Sequence, residues 1–220
     1  MISNKLYLIN QNIAKTCATF NKQAKDIKIV AVSKTIASEN IIEAINCGCK
    51  IFGENYVTEA KQKWPKILQD FPNTKLHFIG HLQTNKVKLA LELFDCIESV
   101  DNEKLALEIA KQQQKLSKRP EIFLQVNIGD EEQKSGIALE KLPDFLEFCL
   151  RLNLNVVGLM AIPPANECPA PYFALLAKSA RDLNLKNLSM GMSLDYQEAI
   201  ALGANYIRLG AAIFGPRNSG

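Results

Sequence analysis

Lys34 is a cation out of place. It closes the run Ile29-Val30-Ala31-Val32-Ser33-Lys34, and alternate residues of a strand share one face. Its amine is therefore expected on the side that Val30 and Val32 reserve for packing. A second cation, Arg208, sits in "YIRLG", where Tyr206, Arg208 and Gly210 alternate with Ile207 and Leu209. A guanidinium pointed inward needs an acceptor. That acceptor is either a buried carboxylate, for which Glu54 is a candidate, or an atom of a ligand. A third group is "SMGMS": Ser189, Gly191, Met192 and Ser193 lead into a helical segment starting near Asp195. Hydroxyls, an open backbone and free helix N–H groups together seat an anion. "LGAA" adds Gly210 and Ala211 beside it. Either loop alone reads as glycines easing tight turns. The pair, at adjacent strand ends, reads as a phosphate seat.

These residues converge only if the elements bring them together. Apolar, often β-branched runs span Lys28 to Lys34, Ile51 to Asn55, Leu76 to Gly80, Cys96 to Val100, Glu121 to Ile128, Asn155 to Ile162, Asn187 to Met192 and Tyr206 to Gly210. Helical periodicity fills the gaps. "SENIIEAINCG" opens on Ser38 as a cap and stops at Gly48. "DNEKLALEIAKQQQKL" carries acids first and lysines later, as a helix dipole favours. Strands alternating with helices imply a parallel sheet, and eight units suggest an α/β fold closed into a single (β/α)8 TIM barrel over residues 1–220. An open doubly wound sheet would want a glycine-rich first turn, and "VSKTIAS" has none. Ile2, Leu6, Ile9 and Ile13 mark an additional N-terminal helix, expected against the wall near the last strand.

In such a barrel the strands' C-terminal ends form the active face. That face gathers Lys34, Asn55, the two small-residue loops and Arg208, with the first strand beside the last. A partly desolvated lysine near a second cation has a lowered pKa and is nucleophilic. An amine, a phosphate seat and a cation suit pyridoxal 5'-phosphate, whose aldehyde joins a lysine as an imine. Arg208 would then donate to an unprotonated ring nitrogen. The alternative is a lysine that holds an anionic sugar phosphate without covalent chemistry.

The motifs "AVSKT", "FGENYVTEA", "HFIGHLQTNK", "QVNIGDEEQKSG", "GLMAIPP", "SMGMSLDYQEAI" and "IRLGAAIFG" follow one another in order between residues 31 and 215. In these the chain resembles the pyridoxal phosphate homeostasis proteins, which share the alanine racemase N-terminal-domain fold. The resemblance implies the cofactor on Lys34, Ser189, Ser193 and neighbouring amides at its phosphate, and Arg208 at its ring nitrogen. It also implies a role in buffering or carrying the cofactor, with pyridoxal-phosphate-requiring apo-enzymes as partners. The rival class is an amino-acid racemase of the alanine racemase type. Those racemases take a catalytic tyrosine from a β-rich second domain, and this sequence is expected to stop before one. An aldolase is disfavoured, because its lysine commonly lies on strand 6 and "NVVGLMAI" has none.

The remaining composition narrows the setting. The 220 residues are 47% hydrophobic with a net charge of +3, enough for a sizeable core and without the clustered basic face of a nucleic-acid binder. No run suits a membrane span or a secretory signal. Six scattered cysteines read as free thiols in a reducing compartment. Cys47 and Cys49 have the wrong spacing for zinc, and His77 and His81 read as packing or hydrogen-bonding residues. A cytoplasmic monomer is expected.

Overall fold

The computed structural model describes residues 1–216. Eight strands form a closed parallel barrel in sequence order: β1 Lys28–Val32, β2 Ile51–Glu54, β3 Lys75–Phe78, β4 Cys96–Val100, β5 Glu121–Val126, β6 Asn155–Ala161, β7 Asn187–Ser189 and β8 Tyr206–Leu209. β8 pairs with β1 in parallel, with Val30 opposite Arg208. The intervening helices are α2 Ser38–Asn46, α3 Val57–Asp70, α4 Val87–Leu93, α5 Glu103–Leu116, α6 Leu142–Arg151, α7 Ala170–Asp182 and α8 Tyr196–Ala201, followed by the short α9 Ala211–Phe214.

The strand alternation sorts the core into two parts. Val30, Cys96, Phe123, Met160 and Tyr206 fill the barrel interior. Ala31, Phe52, Leu76, Ile97, Ile122, Ile207 and Leu209 point outward into the layer shared with the helices. Each large aliphatic or aromatic side chain buried in that layer contributes about 1.5–3 kcal/mol. The N-terminal helix, α1 Ile2–Thr19, buries the stripe Ile2, Leu6, Ile9, Ile13 and Cys17. It packs against α8 and α9, and the Asn12 amide donates to the Tyr196 hydroxyl at 3.2 Å. The last units of the barrel have short helices, and α1 supplies the cover they lack.

Seven of the eight strands end one to three residues before the apolar pattern does. β1 stops at Val32 and β7 at Ser189, so Lys34, Asn55, Gly191 and Met192 belong to loops. The cause is geometric: a barrel's strands splay at the rim and lose their ladder partners while their side chains still alternate. Ser38 is the first residue of α2 rather than its cap; Ala37 holds that position without a side-chain bond. α5 is capped by Asn102, whose side-chain oxygen accepts from the Leu105 N–H.

Candidate cofactor site

Lys34 occupies a turn fixed on both sides. Ser33 is fully buried, and its hydroxyl donates to Glu54 Oε1 at 2.7 Å. The same oxygen accepts from Trp64 Nε1 at 2.9 Å and pairs with Lys63 at 2.8 Å. Lys63 also donates to the Ser33 carbonyl at 2.9 Å and bonds Glu59. Glu59 in turn accepts from the Thr35 N–H at 2.8 Å. α3 thus grips the residues before and after Lys34. Thr35 has φ +61°, a region costly for a β-branched residue. Such strain persists where surroundings over-determine it and is characteristic of sites that present a side chain. Lys34 itself is half-buried.

The acceptor for Arg208 is not Glu54. Glu54 faces outward to α3, and the buried carboxylate that answers Arg208 is Glu98 on β4. Arg208 Nη1 donates to Ser189 Oγ at 2.7 Å, and Ser189 Oγ donates to Glu98 Oε2 at 2.6 Å. The other carboxylate oxygen lies 2.6 Å from His77 Nδ1. A second guanidinium nitrogen donates to the Ala161 carbonyl at 2.9 Å. His77, Glu98, Ser189 and Arg208 are each at most 5% exposed. Burial works to raise the Glu98 pKa. The His77 hydrogen bond and charge, the Arg208 charge and the Ser189 bond outweigh it, leaving Glu98 below the ordinary carboxylate range. An ionised carboxylate only accepts, so His77 Nδ1 carries the proton. Burial lowers the Arg208 pKa, opposed by Glu98 and Asp195, and an arginine nonetheless stays charged. Glu98 was legible in "CIESV", where it alternates in phase with Cys96; an acid at the centre of an apolar strand signals a buried partner.

The two small-residue loops meet as their sequences suggest. Ser193 Oγ accepts from the Ala212 N–H at 3.2 Å, which ties the β7 loop to α9. Gly191 has φ +88°, and a Cβ there would lie 2.5 Å from Ala199 Cβ, so the turn itself demands glycine. The Met192 N–H is engaged by Asp195 Oδ1. Gly210 lies against Val32 of β1, and Ala211 follows it, exposed, as the first residue of α9. Ser189 departs from the phosphate role: it is fully buried and bonded to Glu98 and Arg208, beneath the rim rather than in it. Asn55 follows β2, and its buried Oδ1 has no protein partner among the described residues. An orphaned buried acceptor at the rim fits a ligand donor there.

The chain matches the family model of the alanine racemase N-terminal domain over residues 9–218. It is 39% identical to a pyridoxal phosphate homeostasis protein of Aquifex aeolicus, covering 97% of each chain. The chain belongs to the pyridoxal phosphate homeostasis protein family. Its fold is also that of PipY from Synechococcus elongatus, solved with PLP bound, at TM-score 0.85 and 32% identity over 98% of this chain and all of that one. An alanine racemase from Clostridium difficile shares the fold alone, at TM-score 0.70 and 14% identity, and this chain covers 56% of it.

Proposed function

We propose that this chain binds pyridoxal 5'-phosphate as a Schiff base on Lys34. Its role is cofactor homeostasis, as a cytoplasmic buffer or carrier that serves pyridoxal-phosphate-requiring apo-enzymes. The observation that carries this reading is the pinned, strained turn that presents Lys34 beside the strand bearing Arg208. Bound there, the cofactor would supply an aldehyde for reversible imine formation and a ring able to withdraw electrons. Ser193, with the backbone of Gly191, Gly210 and Ala211, would hold the phosphate, while the Met192 N–H, engaged by Asp195, shapes the turn. Asn55 would meet a polar group of the ring, and Arg208 its nitrogen. Ser189 and Glu98 position Arg208 and keep it cationic. A cationic donor leaves the ring nitrogen unprotonated, which weakens its electron-withdrawing power. The reading is therefore of a binder without robust amino-acid turnover.

The test is spectral and chemical. The protein mixed with pyridoxal 5'-phosphate should absorb as a Schiff base, and borohydride reduction should leave the pyridoxyl group on the peptide containing Lys34. A label confined to other lysines, with Lys34→Ala spectrally normal, would overturn the assignment.

A further inference from the structure

The barrel has a second opening. At the N-terminal ends of β1, β2 and β3, opposite the rim of Lys34, lies a cavity of about 460 Å³, a size proper to a small-molecule site. Lys25, Lys28, Lys50 and Lys75 line it, against Glu121 as its single acid. All four lysines are exposed, so their charges are not needed to balance the core.

A buried phenol at the inner end, Tyr206, turns a donor toward this space. Lys28 Nζ donates to the Tyr206 hydroxyl at 2.6 Å and lies 4.5 Å from its ring centroid. An ammonium has no acceptor capacity, so the Tyr206 oxygen accepts from it and its own O–H remains to be placed. Burial raises the Tyr206 pKa, with Glu121, Cys96 and Glu98 adding to it, so that proton is retained. Ile27, Ile29 and Ile51 give the space an apolar wall. A cluster of ammonium groups, a phenol with a proton to donate and an apolar wall together describe an anion site with room for a hydrophobic body.

We propose that this cavity binds a phosphate monoester, its phosphate among Lys28, Lys50 and Lys75 and its body against the isoleucines. The site is separate from the one at the rim and stands whether or not the rim holds pyridoxal 5'-phosphate.

The experiment titrates the full chain with phenyl phosphate, inorganic phosphate and phenol while amide resonances are followed by NMR. Phenyl phosphate should give saturable shifts at Lys28, Lys50, Lys75 and Tyr206, with tighter binding than either inorganic phosphate or phenol. Gly191 and Ala211 report separately on the rim. Lys28→Ala combined with Lys75→Ala should weaken phenyl phosphate at the cavity by at least roughly tenfold, the loss expected of a charge-assisted hydrogen bond, without altering the response at Gly191. If that variant does not fold, Lys50→Glu must produce the weakening instead. Shifts confined to the rim, shifts that do not saturate, phenol binding as tightly as phenyl phosphate, or unchanged affinity in the folded variant would each overturn the proposal.

Discussion

Glu98 decides what Arg208 can do. Paired through Ser189, the buried guanidinium is balanced; without a carboxylate it would be an uncompensated charge in the barrel core. Glu98→Gln should therefore cost roughly 3–5 kcal/mol at neutral pH. The pH dependence follows from the lowered pKa of Glu98. A carboxyl whose folded pKa lies below its unfolded value stabilises the protein fully above about pH 4.3 and progressively less as pH falls through the folded value. The Tm gap between wild type and Glu98→Gln should thus be widest near neutrality and narrow below about pH 4. Thermal unfolding at several pH values measures it, and a gap independent of pH would contradict an ionised Glu98. At this scale the sequence showed Lys34 and Arg208 by phase alone. It could not name Arg208's partner, because Glu54 and Glu98 are both acids in apolar strands. Only the barrel's register turns one outward to Trp64 and the other inward to Ser189.

Among the elements, the loops after β7 and β8 separate two kinds of serine. Ser193 is half-buried at the junction with α9, whereas Ser189 ends β7 under the rim. The two hydroxyls should respond differently to a ligand's phosphate. Ser193→Ala should weaken pyridoxal 5'-phosphate more than pyridoxal, by roughly 1.5–3 kcal/mol if a charge-assisted hydrogen bond is lost. Ser189→Ala should weaken both alike, because it acts through Arg208. Equal losses in Ser193→Ala, measured by titration of the two ligands, would place the phosphate elsewhere. The eight strands and the stripe of α1 were legible because period-2 and period-3.6 patterns are strong. The strand ends were not, since the alternation of "AVSKT" and "LSMGM" runs past the last ladder hydrogen bonds. The grip of α3 on the Lys34 turn was also hidden, because the partners of Glu59, Lys63 and Trp64 lie far off in sequence, in the loop after β1 and at the end of β2.

At the scale of the whole molecule, barrel closure joins all eight units around one interior, and we propose that the chain behaves as a single domain and a monomer. Unfolding followed by far-UV circular dichroism and by Trp64 fluorescence should give coincident transitions, since Trp64 packs in the layer shared by barrel and helices. Separate midpoints would refute a single unit, and sedimentation at several concentrations tests the monomer. The same scale holds the functional contrast with racemases. The loaded protein incubated with L-alanine should form D-alanine at no more than a trace rate. A positioned general base typically contributes about 10²–10⁴-fold, so turnover at ordinary enzymatic rates, abolished in Lys34→Ala, would favour the racemase reading.

Lys34 follows the first strand and Arg208 lies on the last, and those strands pair only when the β1–β8 seam closes. During synthesis on the ribosome, the turn bearing Lys34 therefore emerges long before the strand that completes its surroundings. Until β8 docks, β1 and β7 both present open edges, which are prone to pair with other chains. Any ligand that bridges the seam would favour the closed barrel over these half-built forms by mass action. Cofactor supply during translation should then influence how much of the newly made chain reaches the native state, so that cells starved of it accumulate less of this protein even with its message unchanged.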